Sequence, residues 1–311
     1  MPLDPHVGRF LGKLAASTPR STGELSVEER RATLERLLSL GGEPEAVASV
    51  EQRVIPGPGG MLGVRVYTPI DARSPVLPGL AFFHGGGLVA GSLDTHDVIC
   101  RALANASGCR LLSVDYRLGP ESRFPAAVLD ACAATHWITC HAEELALDPD
   151  RVAVGGDSAG ATLAAAVCQS LRDSGGPRLA LQFLLCPILD YPAATASREA
   201  FAAGYLLDRE TLAHDLKNYL VPGIDAGDPR VSPLRAQCLE GLPPACIHSA
   251  ECDPLRDEAV AYAERLEQSG VRTSYRCHSG MIHLFYGLGA VIPYVPEAYR
   301  LIGADIRTLL H

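Results

Sequence analysis

The feature that most restricts the fold is the run Gly-Asp-Ser-Ala-Gly at residues 156–160. It follows a short apolar segment, Val152–Val154, and precedes an Ala-rich segment with helical character, 159–173. A Gly-x-Ser-x-Gly run between a strand and a helix is typical of a nucleophile elbow, a turn so tight that its serine adopts unusual backbone dihedrals. Without those neighbours, the run would be equally consistent with a small-residue turn whose serine caps a helix. With them, the pattern predicts that Ser158 is a nucleophile with a helix N-terminus behind it.

The chain after residue 79 alternates short apolar runs with helical patterns. Strands that alternate with helices form βαβ units, so this pattern predicts an α/β fold with a mostly parallel sheet covered on both faces. The predicted strands are Leu80–Phe83, Leu111–Val114, Val152–Val154, Phe183–Leu185, Ala245–Ile247 and Thr273–Tyr275. The predicted helices lie near residues 94–107, 124–145, 159–173 and 255–269.

Two parts of the chain fall outside this alternation. Before residue 50, apolar residues at helical spacing predict short amphipathic helices, one of which begins with a capping box of Ser26 and Glu29. Two β-like runs, Val50–Ile55 and Leu62–Tyr67, predict a hairpin whose turn is longer than two residues. Residues 192–230 break the strand–helix rhythm and are interpreted as an insertion.

A nucleophilic serine needs a base, and that base needs an acid to orient it. In a fold with this elbow the chain order is serine, then acid, then histidine, each on a loop after a later strand. Asp253 follows the predicted strand Ala245–Ile247, and His283 follows the predicted strand Thr273–Tyr275. The order therefore predicts that Asp253 and His283 act with Ser158.

Other residues compete for these two roles. Glu251 is a possible substitute for Asp253, whereas Asp257 is expected to cap the following helix. His278 is the nearest competitor of His283, but it lies closer to the strand, where a solvent-facing position is the simpler expectation. His248 precedes Asp253, which is the wrong order for this architecture.

A glycine loop follows the predicted strand Leu80–Phe83, where lipases and esterases place donors for an oxyanion. Successive glycines leave their backbone N–H groups unobstructed, so Gly85, Gly86 and Gly87 are predicted to form an oxyanion hole. The backbone N–H of Ala159, which directly follows the predicted nucleophile, is expected to supply a further donor.

The same glycines also resemble a dinucleotide-binding loop, because Asp115 ends the next strand as a ribose-binding acid would. The required Gly-x-Gly-x-x-Gly register is absent, since Ala90 stands where the third glycine belongs. The chain also lacks a Gly-Lys-Ser/Thr phosphate loop and a His-Glu-x-x-His metal site. We therefore expect neither a cofactor nor a metal.

Charge and cysteine usage narrow the possible partners and the compartment. The formal net charge is −9 and no basic run occurs, which argues against nucleic acid as a partner. No stretch of about 18 apolar residues is present, and the first residues lack the apolar segment of a signal peptide, so we expect no membrane span. The 10 cysteines include no Cys-x-x-Cys pair. Free, mostly buried thiols in a cytoplasmic protein are the simplest expectation.

Six motifs occur in an order that resembles the hormone-sensitive-lipase family of α/β-hydrolases, the bacterial family IV esterases with an HGGG loop. They are FFHGGG at 82–87, DYRLGPE at 115–121, GGDSAG at 155–160, SPL at 232–234, DPLRDE at 253–258 and GMIHLF at 280–285. The resemblance covers nearly the whole chain.

The resemblance implies hydrolysis of a small carboxylic ester with a short or medium acyl chain, through an acyl-enzyme formed on Ser158 with His283 and Asp253. It implies a single α/β-hydrolase domain, residues 1–311, with an eight-stranded, mostly parallel sheet. A helical cap drawn from about 1–50 and 192–230 is expected to cover a catalytic core of about 51–191 and 231–311. The resemblance is compatible with a homodimer, for which no sequence feature argues directly.

Departures from the family pattern affect the expected pocket and leave the catalytic groups in place. Leu88 stands where relatives usually carry an aromatic residue, Leu284 where a glycine is usual, and Gly119 where alanine is common. The residues expected to line the substrate pocket are Leu88, Asp157, Tyr205, Leu206 and Leu284. Packing between cap helices is an equally good explanation for the apolar residues near Tyr205.

Two other functions remain open from the sequence. The same three side chains would also serve an amide or carbamate hydrolase, and no residue decides between these bonds. A non-catalytic ligand-binding protein on the same fold is the second alternative, since a fold does not determine function. Its expected signature is the loss of a catalytic residue, whereas Ser158, Asp253 and His283 are all present.

Overall fold

An eight-stranded sheet forms the centre of the molecule. The computed structural model describes residues 3–17, 22–72 and 74–310, so residues 1–2 and 18–21 of the predicted cap lie outside the described residues. The strands are β1 Ser49–Gly57, β2 Gly60–Thr68, β3 Leu77–Phe83, β4 Arg110–Val114, β5 Leu147–Asp157, β6 Leu181–Leu185, β7 Ala245–Cys252 and β8 Thr273–Ile282. Their order is β1-β2-β4-β3-β5-β6-β7-β8, with β1 and β2 antiparallel to their neighbours and all other pairs parallel. The predicted α/β fold with a mostly parallel sheet is confirmed.

Helices cover both faces of this sheet. They are α1 Pro5–Ser17, α2 Val27–Leu38, α3 Asp97–Ser107, α4 Ala126–Cys140, α5 Ala159–Asp173, α6 Ala196–Ala200, α7 Arg209–Tyr219, α8 Arg256–Gln268 and α9 Val295–Leu310. Successive strand residues point to opposite faces. Accordingly, Ala81 and Phe83 of β3 join a core cluster with α4, α5 and α8, whereas Leu80 and Phe82 join one with α3 and α9. Within the described residues, no helix has both the length and the apolar character needed to cross a bilayer.

The structure corrects the predicted hairpin. Residues pair from Ser49 with Thr68 through to Gly57 with Gly60, so the turn consists of two residues, 58–59. The expectation of a longer turn was wrong because the apolar pattern stops before the backbone ladder does. Strand pairing needs only peptide groups, so Pro56 and the glycines at the tip extend the strands beyond their apolar part.

The two segments predicted as a cap meet each other. The capping box is present at the start of α2, where Ser26 accepts a hydrogen bond from the backbone of Glu29 and the Glu29 carboxylate accepts one in return. The predicted insertion contains α6 and α7. Arg30 of α2 forms an ion pair with Asp215 of α7 at 2.8 Å, which joins segments that are far apart in the chain.

A chain of buried polar groups connects β7, β8 and the loop before α9. His278 Nε2 lies 3.0 Å from His248 Nδ1, and His278 Nδ1 lies 2.9 Å from the Tyr294 hydroxyl. The expected solvent-facing position of His278 was therefore wrong. Strand β8 continues to Ile282, past its predicted end, and Tyr294 covers this part of the strand. Burial lowers the pKa of His278 to about 4.

We expect His278 to make the folded state sensitive to acid. Its pKa in the unfolded chain is about 6.5, so its stabilising contribution is complete above that pH and is lost as the pH falls toward 4. At pH 5 the loss is about 2 kcal/mol in the free energy of unfolding. The variant His278→Gln should therefore lose less stability than the wild type between pH 7 and pH 5, as measured by urea unfolding at both values.

The exposed His136 supplies the control for this measurement. His136→Gln should show the same difference between pH 7 and pH 5 as the wild type. An equal difference in His278→Gln and wild type would contradict the role assigned to burial of His278.

Candidate active site

Ser158 occupies a tight turn between β5 and α5. Its backbone has φ 52° and ψ −121°, a conformation that non-glycine residues rarely adopt, and its N–H donates to the carbonyl of Leu185 at 2.8 Å. A Cβ at Gly160 would overlap the carbonyl oxygen of Phe83, and one at Gly156 would overlap the backbone of Gly160. The glycines of the run are thus required by the close approach of β3 to the turn, and the predicted strand–turn–helix context is present.

Ser158 is hydrogen bonded to His283, which is in turn hydrogen bonded to Asp253. His283 Nε2 lies 3.0 Å from Ser158 Oγ, and His283 Nδ1 lies 2.8 Å from Asp253 Oδ2. All three side chains are buried. A carboxylate at Nδ1 favours the tautomer with a proton there, which leaves the Nε2 lone pair facing the serine hydroxyl. The structure thus brings together the three side chains that the sequence order predicts.

The competing residues have other partners. The Glu251 carboxylate accepts a hydrogen bond from the backbone of Gly280 at 2.7 Å. Asp257 does not cap α8, because the cap position is Leu255 and Asp257 lies within the first turn. Instead, its carboxylate accepts from the backbone N–H of Ser197 at 2.8 Å and so connects α8 to α6.

The glycine loop differs from the prediction in one donor. The N–H of Gly85 donates to Asp157 Oδ1 at 2.9 Å, so it is not available to an oxyanion and the expectation for this residue is corrected. Gly86 and Gly87 have φ values of 121° and 67°, which suit glycine. The backbone N–H groups of Gly86, Gly87 and Ala159 have no hydrogen-bond partner among the described residues, which leaves them as the candidate donors.

Asp157 holds the glycine loop in place through this hydrogen bond from Gly85. Its side chain is fully buried, its second oxygen accepts from the Tyr286 hydroxyl at 3.0 Å, and His96 Nε2 lies 3.5 Å from the same oxygen. Burial alone disfavours the charged carboxylate, but His96 and Tyr286 stabilise it, and the pKa of Asp157 lies below its ordinary value. Both oxygens of Asp157 are therefore already engaged by the protein, and they hold the glycine loop beside Ser158.

A cavity of about 100 Å³ opens beside Ser158 and His283. Its apolar walls come from α2, from the loop before α7, from α7 and from the loops after β6 and β8. The apolar residues are Leu34, Leu37, Ile188, Leu206, Leu207, Leu212 and Leu284. The lining also includes the Arg30–Asp215 pair, the glycine loop and, besides Ser158, four hydroxyl side chains, which belong to Thr22, Thr33, Tyr191 and Thr211.

The residues expected in the pocket are found in different places. Asp157, Leu206 and Leu284 line the cavity. Leu88 is buried in the core cluster with α4 and α5, because its φ of 64° turns the chain and its side chain away after the glycine loop. Tyr205 packs edge-on against Phe201 with ring centroids 4.8 Å apart. Packing within the cap, the simpler of the two explanations, thus describes Tyr205.

Cys186 is a neighbour of the site that sequence reasoning missed. Its Sγ and the ligand atoms of Asp253 and His283 all lie within 4.8 Å of one another. Burial raises the pKa of this thiol well above its ordinary value, so it packs against the Asp–His pair as a neutral group. Its position in the sequence was the available signal. Cys186 follows β6, which lies between β5 and β7, and parallel strands end at one edge of the sheet.

Comparisons with known proteins agree with this architecture. The sequence model described as alpha/beta hydrolase fold matches residues 80–287. Carboxylic ester hydrolase LipN of Mycobacterium tuberculosis is 44% identical over 79% of this chain and 66% of its own length. Ethyl acetate hydrolase of Pseudomonas putida is 36% identical over 97% of this chain and 98% of its own length. The crystal structure of a serine-to-alanine mutant of LAE6, an alpha/beta hydrolase enzyme from the metagenome of Lake Arreo, Spain, has a TM-score of 0.95 at 38% identity and covers 98% of both chains.

The hydrogen-bond geometry predicts that Ser158 is the most reactive hydroxyl of the chain. A fluorophosphonate probe should label the wild type with one equivalent and should fail to label Ser158→Ala, as measured by intact-protein mass spectrometry. Ser249 is also buried but is hydrogen bonded to Tyr275, so Ser249→Ala should be labelled like the wild type. Equal labelling of Ser158→Ala and wild type would exclude Ser158 as the nucleophile.

Proposed function

The chain belongs to the α/β-hydrolase family, in its hormone-sensitive-lipase-like branch of esterases, and from that premise we propose that it is a serine carboxylesterase for short- to medium-chain acyl esters. The observation that carries this proposal is the hydrogen-bonded series Ser158–His283–Asp253 beside a cavity, with distances of 3.0 and 2.8 Å. Three backbone N–H groups without partners among the described residues lie next to the serine.

In the first half of the reaction, Ser158 Oγ attacks the ester carbonyl while His283 Nε2 takes the hydroxyl proton. Asp253 holds the imidazole in place and stabilises its charged form. The carbonyl oxygen becomes an oxyanion that accepts hydrogen bonds from the N–H groups of Gly86, Gly87 and Ala159. These donors are held by backbone, so little reorganisation is needed when the charge develops.

In the second half, His283 returns the proton to the departing alcohol oxygen, which leaves the acyl group on Ser158. Water then attacks the acyl carbonyl, and His283 takes one of its protons. When the second tetrahedral intermediate collapses, the carboxylic acid departs and Ser158 Oγ regains a proton from His283. Over the whole cycle, the acyl C–O bond of the ester is replaced by a C–O bond to the oxygen of water, and the released alcohol carries a proton.

We assign the choice of substrate to the two cap segments, residues 1–50 and 192–230. Leu34 and Leu37 of α2 face the same cavity as Leu212 of α7, so the acyl or alcohol group is covered by both segments. A cavity of about 100 Å³ with these leucine walls suits a short apolar group. The full-length match to a protein named ethyl acetate hydrolase supports small esters as substrates.

Hydrolysis of p-nitrophenyl esters tests this function. We expect kcat/KM to be highest for acetate to hexanoate esters and to fall for longer chains, because the covered cavity is small. Ser158→Ala should lower kcat by at least about a thousandfold, since the nucleophile is lost. Activity in Ser158→Ala equal to that of the wild type would overturn the proposal, and a p-nitroanilide hydrolysed faster than the matched ester would favour an amide substrate.

A second variant tests the role of Asp157 as a positioning residue. Removing its carboxylate frees the N–H of Gly85 and lets the glycine loop move away from the developing oxyanion. Asp157→Ala should therefore lower kcat by roughly a hundredfold and change KM by less than about threefold. Asp157→Asn keeps an acceptor oxygen and should recover part of this loss. A change confined to KM, or no recovery with asparagine, would contradict the assignment.

A further inference from the structure

The catalytic cavity contains a buried ion pair that the proposed reaction does not use. Arg30 Nη2 donates to Asp215 Oδ2 at 2.8 Å and Nε donates to Oδ1 at 3.2 Å, so the contact is bidentate. The two side chains are 11% and 5% exposed, and both line the cavity that contains Ser158. A bidentate pair with so little exposure is held in one geometry.

Asp215 lies directly against the glycine loop. A Cβ at Gly87 would overlap Oδ2 of the Asp215 carboxylate. This oxygen therefore packs on the Cα of Gly87, whose N–H is a candidate oxyanion donor. A negative charge at this position opposes the negative charge that forms on the substrate oxygen. The absence of a side chain at Gly87 is thus required by α7 as well as by the backbone of the loop.

Arg30 is the group that offsets this charge. Among the described residues that line the cavity, it is the only arginine and no lysine is present. The ring of His214 lies outside that lining, with Nδ1 3.1 Å from Asp215 Oδ1 and Nε2 3.1 Å from the carbonyl of Leu25. The hydrogen bond to Asp215 raises the pKa of His214. The α2–α7 wall of the cavity therefore carries an arginine and a carboxylate whose charges offset each other, and the other carboxylate of the lining, Asp157, is engaged by the glycine loop.

We propose that the Arg30–Asp215 pair determines the charge selectivity of the cavity. Paired, the two groups leave a nearly neutral wall beside the oxyanion donors and offer no free cation to a carboxylate on the substrate. Without Asp215, Arg30 becomes a free cation in a covered site and binds esters whose acyl chain ends in a carboxylate. Without Arg30, the carboxylate of Asp215 keeps only its hydrogen bond with His214, loses its cation on the cavity side beside Gly87, and opposes formation of the oxyanion. This inference rests on the proposed esterase function.

Two esters of the same length but different charge test the proposal. They are p-nitrophenyl butyrate, whose acyl chain ends in a methyl group, and p-nitrophenyl hemisuccinate, whose acyl chain ends in a carboxylate. The rate of hydrolysis without enzyme is subtracted for each ester. We expect the ratio of kcat/KM for hemisuccinate to kcat/KM for butyrate to rise at least tenfold in Asp215→Asn relative to the wild type. Arg30→Gln should lower kcat for butyrate at least tenfold, and Arg30→Gln/Asp215→Asn should recover most of that loss.

The next residue of α2 supplies matched controls. Arg31 pairs with Glu121 at 2.7 Å, and neither residue lines the cavity. Glu121→Gln removes one negative charge from the core beside α2, and Arg31→Gln removes one positive charge from α2 itself, so both variants should keep the wild-type ratio. Thermal unfolding of each variant identifies any loss of fold; if Arg30→Gln unfolds, the ratio in Asp215→Asn still decides the proposal.

The outcomes separate this proposal from the esterase function itself. Hydrolysis of the butyrate ester by the wild type reports the proposed function alone. If that activity is present but the ratio in Asp215→Asn equals the ratio in Glu121→Gln, the charge-selectivity proposal is overturned and the esterase proposal stands. If the wild type hydrolyses neither ester, both proposals are overturned.

Discussion

The close contact between the end of β3 and the start of α5 is the constraint on which the site depends. Gly160 packs against the carbonyl of Phe83 with no room for a side chain, so the chain must turn sharply at Ser158. A turn with φ 52° costs roughly 1–3 kcal/mol and persists only where surrounding contacts impose it. The same contact sets the glycine loop after β3 beside the serine after β5, which places the candidate oxyanion donors next to the proposed nucleophile.

Parallel strands extend this arrangement across the sheet. Because β5, β6, β7 and β8 run in one direction, Ser158, Cys186, Asp253 and His283 all emerge at one edge. Ser158 and His283 are 125 residues apart in the chain, and this arrangement brings them within a hydrogen bond of 3.0 Å. The buried His248–His278 pair links β7 to β8 a few residues before the ends of the strands that lead to Asp253 and His283.

This architecture explains which features could be predicted from sequence. The elbow, the glycine loop and the order of acid and base are local patterns at strand ends, and a parallel sheet converts chain order into proximity. The helix α9 was not predicted, although its buried residues Val295, Ala298 and Ile302 recur at helical spacing. Strand β8 proved longer than its apolar run, because pairing continues through polar residues that carry no local signal. The engagement of Gly85 by Asp157 was also missed, since the direction of a side chain depends on tertiary packing. Leu88 illustrates the same point, because a positive φ sends it into the core.

The cap adds a constraint that no local pattern contains. Arg30 and Asp215 are separated by 185 residues and lie in segments predicted only as helical cover. A buried charge is costly unless it is paired, so Arg30 and Asp215 each stabilise the other at the cavity. In the proposed mechanism, the pair therefore couples the contact between α2 and α7 to the electrostatics of the oxyanion site. The two helices must meet for the charges of Arg30 and Asp215 to offset each other, and the N–H groups of Gly86 and Gly87 then stabilise the substrate oxyanion without an opposing carboxylate.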